Sequence, residues 1–120
     1  MEHFNLTKDE CIAKAVELMR VPHTKMLFVA DNVKDTFTIR NEIAEHFQDS
    51  DSDLRIVRLA TGQIVLSNSA CILISAPTPT AGRGMSLNVL FSPAKCFANE
   101  DFVAGVIPAL YSHDGQIYKY

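Results

Sequence analysis

Residues 72–97 read ILISAPTPTAGRGMSLNVLFSPAKCF, and this stretch decides the fold class. An apolar run opens it, a loop rich in proline and glycine follows, and a second apolar run ends abruptly at Ser92-Pro93. Apolar runs without alternation are typical of strands that are covered on both faces of a parallel sheet. Ligands and catalytic carboxylates of such sheets lie in the loops that leave the carboxyl ends of the strands. Residues 72–97 contain no Asp or Glu, so the expected acid is missing.

The segment that precedes this stretch predicts a capped helix and a central strand. Thr7 and Glu10 have the spacing of a capping box, in which each side chain accepts a hydrogen bond from the other residue's backbone amide, and this predicts a helix start. Apolar residues continue at helical spacing to Met19, so one face of the helix is expected to be buried. The apolar run Met26–Ala30 lacks alternation, which favours a central strand.

A second helix is predicted after Asp31-Asn32, because these polar residues can turn the chain and cap a helix. The helix is predicted to end near Gln48, and its inner stripe to consist of Phe37, Ile43, Ala44 and Phe47. The acidic segment at residues 49–53 has alternate aspartates, as calcium loops do, but it lacks their glycine and distal glutamate. We therefore interpret this segment as a solvated connector.

The remaining pieces continue the alternation of strands and helices. Ser67-Asn68-Ser69 is predicted to be the tight turn of an antiparallel hairpin. A helix is predicted after Asn99 or Asp101, and Pro108 should kink or shorten it. The order of the pieces predicts an α/β fold, a three-layer domain with a mixed sheet. The β-type runs are Arg55–Leu59, Gln63–Leu66, Ala70–Ser75, Leu87–Phe91 and Gln116–Tyr120.

Composition limits the classes of protein that the chain can belong to. With 120 residues, of which 48% are hydrophobic, the chain is expected to form a single domain, residues 1–120. Its formal net charge of -3 does not support a nucleic-acid partner. Three widely spaced cysteines indicate neither a disulfide framework nor a zinc site. The sequence has no signal peptide and no apolar run of membrane-spanning length, so we expect no membrane association and a cytoplasmic location.

The order of the pieces resembles the ATPase domain of the large terminases of tailed phages, which are DNA-packaging motors. The resemblance is carried by Ala81-Gly82-Arg83-Gly84 ahead of the run at residues 86–91, by Phe97, and by the proline-containing segment at residues 99–110. In that family an Arg-Gly segment leads into the Walker B strand, and an aromatic residue and a helix with a proline follow it. The resemblance implies a P-loop-NTPase-like domain with a mixed, mainly parallel central sheet.

Two departures from the family's pattern affect the residues that perform its chemistry. Family Walker B strands end in Asp-Glu, which hold Mg²⁺ and orient the attacking water, whereas the corresponding residues here are Pro93 and Ala94. The family's Walker A loop is glycine-rich, whereas the corresponding helix here begins Thr7-Lys8-Asp9-Glu10 with no preceding glycine. The resemblance therefore implies a degenerate, truncated pseudo-ATPase domain, without catalytic residues, metal ligands, cofactor, coupling motif or nuclease domain.

The candidate nucleotide- or phosphate-binding residues are Lys8, Arg83 and Gly84. Lys8 is either a surviving Walker A lysine or a solvated residue of a capped helix, and we favour the second interpretation. Arg83, in a glycine-flanked loop, can bind a phosphate or reach a neighbouring subunit, although an ordinary surface arginine is the favoured alternative.

Other ionisable residues offer less specific chemistry. Three histidines, at positions 23, 46 and 113, have no evident partner for a catalytic triad. Cys96 follows a lysine that can lower its pKa, but an inert buried thiol is favoured. A modest anion site would result if four cations lay on adjacent strands. These cations are Arg55, Arg58, Arg83 and Lys95.

Two functional hypotheses follow. The first is a non-catalytic phage or prophage protein that binds a protein partner, such as a packaging motor, another ATPase or a host factor, or that self-associates as a homo-oligomer. The alternative is an enzyme: a nucleotide-binding or hydrolysing subunit whose missing acids come from a partner chain, or a hydrolase that uses Asp31, Asp101 or Asp114. Convergence of two of these carboxylates at the strand ends would favour the enzyme. A folded remnant without a function is the third interpretation.

Overall fold

The computed structural model describes residues 2–48, 53–78, 80–81, 86–113 and 115–120, with the backbone alone described for residues 111–113. The acidic segment at residues 49–53, which is predicted to be a solvated connector, therefore lies almost wholly outside the described residues. The elements, in chain order, are β1 (Glu2–Asn5), α1 (Lys8–Met19), β2 (Lys25–Val29), α2 (Val33–Glu45), β3 (Ile56–Ala60), β4 (Gln63–Leu66), β5 (Cys71–Ser75), β6 (Val89–Ser92), a 3₁₀ helix (Ala94–Ala98), α3 (Glu100–Val106), a second 3₁₀ helix (Ile107–His113) and β7 (Gln116–Lys119).

All strands of the described residues join one sheet in the order β1-β7-β6-β2-β5-β4-β3. The first five strands in this order are mutually parallel. β4 runs antiparallel to both β5 and β3. The predicted mixed, mainly parallel sheet with a hairpin is therefore confirmed. Because the five parallel strands point the same way, their carboxyl ends form one continuous edge, which we call the carboxyl edge.

Helices cover both faces of the sheet, which gives the predicted three layers. α1 and α2 pack on one face, where their apolar stripes meet residues such as Met26 and Phe91. α3 packs on the other face through Phe102 and Val106, against Leu27 and other sheet residues. Burial of β2 on both faces explains why its sequence is apolar without alternation.

A row of aromatic rings crosses the first face of the sheet. Phe4, Tyr118, Phe91 and Phe28 stack in sequence, with ring centroids 4.9, 5.1 and 5.0 Å apart. Tyr120 continues the row at 5.9 Å from Phe28. The rings lie on four adjacent strands, so their packing stabilises the register of β1, β7, β6 and β2.

Helix starts follow the local chemistry of the sequence. The capping box at Thr7 is present, and Asn32 caps α2 by accepting a hydrogen bond from the Asp35 amide. Asn99, one of the two predicted candidates, caps α3. The chain passes from α3 into a 3₁₀ helix at Ile107, immediately before Pro108, because that proline lacks the amide that a continuing helix needs.

Three structural details differ from the sequence-based expectations. β1 was not predicted, because Glu2–Asn5 has no strand pattern of its own and is held by parallel pairing with β7. Phe37 is wrong as a member of the inner stripe of α2: it is 44% exposed, and Thr36 and Ile39 are buried instead. α2 ends at Glu45 rather than near Gln48.

Candidate functional site

The carboxyl edge is where ligands bind in open α/β sheets. The loops that begin there follow β1, β2, β5 and β6, and β7 ends there too. A phosphate-binding or catalytic residue of this fold is therefore expected at this edge. Arg83 and Gly84 lie outside the described residues.

The start of α1 uses its own side chains to satisfy its backbone donors. The Glu10 amide donates to Thr7 Oγ1 at 3.1 Å, and the Thr7 amide donates to Glu10 Oε1 at 3.0 Å. A P-loop binds phosphate with amides that are free to donate and with a helix terminus that carries no competing acid. Asp9 and Glu10 place two carboxylates in the first turn of α1. This helix start is therefore arranged to stabilise the helix rather than to attract a polyphosphate.

Lys8 is turned toward the neighbouring helix. Its Nζ lies 3.4 Å from Asp35 Oδ2, and the two side chains are 35% and 28% exposed. Asp35 lies in the first turn of α2, so this ion pair joins the amino-terminal ends of the two helices. A lysine in this position has a protein carboxylate as its partner, which a phosphate would have to displace.

The end of β6 is closed by backbone hydrogen bonds. The Ala94 amide donates to the Tyr120 carbonyl at 2.6 Å, and the Tyr120 amide donates to the Ser92 carbonyl at 3.1 Å. Pro93 is buried and the Ser92 hydroxyl, fully buried, donates to the Pro93 carbonyl at 3.1 Å. The side chains of Pro93 and Ala94 carry no oxygen or nitrogen atom that could ligate a metal ion or orient water.

Tyr120 also closes the end of the central strand. Its hydroxyl donates to the Val29 carbonyl, the last of β2, at 2.7 Å. Burial, followed by the charge of nearby Asp31, raises the pKa of the Tyr120 hydroxyl well above its ordinary value of 10.0. The hydroxyl is therefore a permanent donor at physiological pH.

An ion pair joins the loops that follow β2 and β6. Lys95 Nζ lies 2.9 Å from Asp31 Oδ1, with the side chains 71% and 36% exposed. The hydrogen bond that Lys95 donates to Asp31, reinforced by the negative charge of Asp31, raises the pKa of Lys95. Among the described residues no group of three or more His, Cys, Asp or Glu side chains can hold a metal ion.

The residues of the other sites considered in the sequence analysis do not converge among the described residues. Asp31 pairs with Lys95, Asp101 is exposed in the first turn of α3, and Asp114 lies outside the described residues. The anion site considered in the sequence analysis requires its cations to lie on adjacent strands, and its described members do not meet that condition. β3, with Arg58, and β6, which precedes Lys95, are four positions apart in the sheet order, a distance of roughly 19 Å at the usual strand spacing.

A cavity of about 240 Å³ opens on the carboxyl edge beside the Asp31–Lys95 ion pair. It lies between the loop after β5 and the start of α3. Its lining residues are Pro77, Thr78, Lys95, Cys96, Asn99 and Phe102.

Sequence reasoning missed the residues that close this edge. No functional role was predicted for Asp35 or Tyr120, and no contact was predicted between Asp31 and Lys95. The pairs Asp31–Lys95 and Tyr120–Val29 join positions that are distant in sequence, so no local pattern could have indicated them. The spacing of Thr7 and Glu10, in contrast, was a sufficient local signal.

Comparisons with known proteins identify the fold. A scan against models of known protein families gives no match, and a search of curated proteins gives none. Among solved structures, the ATPase domain of the large terminase of Thermus phage P74-26 superposes with a TM-score of 0.58 at 14% identity, over 98% of this chain and 57% of that one. A single-residue variant of that domain gives 0.57 at 12% identity, over 98% and 58%. The chain therefore spans less than three fifths of the domains that it matches.

The terminase resemblance inferred from the sequence is thus confirmed for the fold. The protein is an α/β domain with a mainly parallel seven-stranded sheet like that of a phage large terminase ATPase domain. In the described part of the chain, no helix is long and apolar enough to cross a membrane.

Proposed function

We propose that this protein is a non-hydrolysing phage or prophage protein that uses a terminase-ATPase-like fold to bind a protein partner. The observation that carries the proposal is the end of β6, where Pro93 is buried and the Ala94 amide donates a hydrogen bond to the Tyr120 carbonyl. Phosphoryl transfer depends on acids that hold Mg²⁺ and orient water at such a strand end. A proline and an alanine supply neither function.

The start of α1 supports the same conclusion independently. Reciprocal capping satisfies the amides of Thr7 and Glu10, and Lys8 pairs with Asp35. Loss of phosphate donors and loss of metal ligands would act on the same reaction, because its catalysis is almost entirely positioning and electrostatic stabilisation. A protein with both changes is expected to act by contact.

Exposed apolar side chains provide surfaces for such contact. Val33 and Phe37 lie one turn apart on α2 and are 65% and 44% exposed, and Val57 and Leu59 on β3 are 60% and 43% exposed. Apolar groups that are grouped on a surface mark interaction sites more often than isolated ones do. The α2 pair lies in the first half of its helix, adjoining the carboxyl edge.

Nucleotide titration and hydrolysis assays test the first half of the proposal. Calorimetry with Mg-ATP is expected to give no saturable binding, and phosphate release is expected to equal the buffer blank. Lys8→Ala should change neither result. ATP turnover or saturable binding that Lys8→Ala abolishes would overturn the proposal in favour of a nucleotide-using subunit, whereas turnover that survives Lys8→Ala identifies a contaminating enzyme.

Sedimentation velocity tests the second half. We expect the protein either to self-associate or to co-sediment with a purified tailed-phage large terminase. Phe37→Asp should weaken that association, and Val21→Asp is the matched control, because Val21 is also exposed, at 51%, but lies after α1 away from the α2 pair. A single monomeric species in both experiments would contradict a role in contact with these partners.

A further inference from the structure

The cavity between the loop after β5 and α3 combines an apolar floor with polar groups at its rim. Phe102, which is 3% exposed, and Pro77, on the loop after β5, both line the cavity, so one part of the lining is hydrocarbon. Lys95, Asn99 and Thr78 contribute polar atoms to the same lining. Sites for small molecules commonly have this composition, an apolar body with a few convergent polar groups.

The polar groups at the rim are mainly hydrogen-bond donors. Asn99 uses its Oδ1 to accept from the Phe102 amide at 3.1 Å, so its amide N–H group is what it can offer to a ligand. Lys95 carries three donors and accepts none. The Thr78 hydroxyl shares a hydrogen bond of 3.0 Å with the Thr80 hydroxyl. A ligand group with acceptor oxygens and negative charge complements this rim.

The size of the cavity limits what it can hold. Its volume of about 240 Å³ lies below the range of about 300–1,000 Å³ that is usual for drug-sized ligands. A single ring with one carboxylate fits such a volume, whereas a nucleotide with its sugar and phosphates exceeds it. The lining residues follow β5 and β6, at positions five and three of the sheet order, whereas α1 follows β1 at position one, so the start of α1 does not line the cavity.

We propose that this cavity binds a small carboxylic acid with an aromatic or branched apolar body, the ring lying against Phe102 and Pro77 and the carboxylate on Lys95 and Asn99. A free organic acid and the carboxyl-terminal aromatic residue of a partner peptide share this chemistry. The inference does not depend on whether the protein hydrolyses ATP.

The ion pair beside the cavity determines how the site should respond to substitution. Lys95 is 71% exposed, so solvent screens its attraction to Asp31 and the ammonium can turn toward an incoming carboxylate. Asp31 competes with the ligand for Lys95 and repels its negative charge. Removing the Asp31 charge should therefore strengthen binding of an acid, and removing the Lys95 charge should weaken it.

Two-dimensional ¹H–¹⁵N NMR titration with benzoate, and with benzamide as its neutral isostere, tests the proposal. Benzoate should shift the backbone amides of Thr78, Cys96 and Phe102, and benzamide should bind more weakly. Asp31→Asn should raise the affinity for benzoate roughly two- to fivefold and Lys95→Met should lower it by a similar factor, as expected for an exposed charge. Lys25→Met, at the opposite edge of the sheet, is the matched control and should leave the affinity unchanged.

A second pair of probes distinguishes the two sources of the carboxylate. The peptide Ala-Ala-Phe with a free carboxyl terminus should bind more tightly than benzoate if a partner's terminus is the ligand, and its amide should not bind. Equal binding of benzoate and benzamide, an unchanged affinity in Lys95→Met, or shifts that map elsewhere would each overturn the proposal. The spectra also report folding, so a variant that unfolds is recognised, and Asp31→Asn then provides the independent result.

Discussion

The start of α1 and the end of β6 lie on the same edge of the sheet, but they are closed by different means. At α1 the closure is local and exposed, since it consists of reciprocal hydrogen bonds between Thr7 and Glu10. At β6 the closure is distant in sequence and partly buried, since Ala94 and Tyr120 are joined through the main chain. A substitution can remove the first closure, whereas the second persists as long as the sheet is folded.

The comparison shows that the carboxyl edge of the sheet is closed in two ways. A capped helix start retains its amides and can in principle be reopened, because side chains alone occupy them. The end of β6 is paired through its backbone, so no side-chain hydrogen bond there can be removed by substitution. The stability of this strand derives from the aromatic row on the first face of the sheet. We therefore expect substitutions at the start of α1 and at the end of β6 to lower the free energy of unfolding by different amounts.

The largest effect is expected where the end of β6 meets the core. Phe91 is fully buried and stacks between Phe28 and Tyr118, so Phe91→Ala should lower the free energy of unfolding by about 3–5 kcal/mol. Urea denaturation monitored by circular dichroism measures the loss. Phe97→Ala, at a half-buried ring beside α3, is the control and should cost less. Equal losses would show that the aromatic row adds nothing specific.

Tyr120→Phe tests the side-chain hydrogen bond by which Tyr120 closes the end of β2. The change leaves the Val29 carbonyl without its 2.7 Å hydrogen bond, at an expected cost of about 1–3 kcal/mol. Tyr118→Phe is a matched control, because its hydroxyl meets the Gln116 side chain at 3.0 Å, and that side chain can find another partner. A larger loss in the control would contradict the role assigned to Tyr120.

A pH titration of stability tests the packing behind the α1 start. Burial, assisted by the charge of Glu10, raises the pKa of the Cys11 thiol from 9.0 to about 12. The folded state therefore keeps a proton that the unfolded state releases above pH 9. The contribution of this thiol to the free energy of unfolding is complete below pH 9 and is lost as the pH rises toward 12. The expected loss is about 1 kcal/mol between pH 9 and 10, and the slope approaches about 1.4 kcal/mol per pH unit above pH 10.

Denaturation at fixed temperature across pH 8–10.5 measures how steeply the free energy of unfolding falls as the pH rises. Cys11→Ala should be less stable at every pH but should show a shallower decrease above pH 9. An identical slope in the two proteins would show that other groups cause the alkaline loss.

The smallest loss of stability is expected at Thr7, the N-cap of α1. Thr7→Ala removes the acceptor for the Glu10 amide and should cost about 1 kcal/mol, whereas Thr7→Ser keeps a hydroxyl and should cost less. Thermal unfolding of the three proteins under the same conditions provides the measurement. If Thr7→Ala were as costly as Phe91→Ala, the proposed difference between local and distant closure would be wrong.

Much of the fold could be predicted because its signals are local. The unbroken apolar run at β2, the cap residues Thr7 and Asn32, and the effect of Pro108 each follow from interactions within a few residues. β1 could not be predicted, because its four residues gain strand structure from pairing with β7. Phe37 was assigned to the core because a stripe pattern tolerates a shift by one position, and packing against the sheet selected Thr36 instead.

The candidate site likewise has some features that follow from adjacent residues and others that only the tertiary structure decides. The sequence by itself determined that the end of β6 has no acids and that α1 begins with a self-satisfying cap, because both are properties of adjacent residues. Tertiary structure alone decided that Lys8 meets Asp35, that Lys95 meets Asp31, and that Tyr120 closes two strand ends. These contacts join residues from different strands and helices, and their partners are chosen by strand order and sheet register, which no local pattern in the chain encodes.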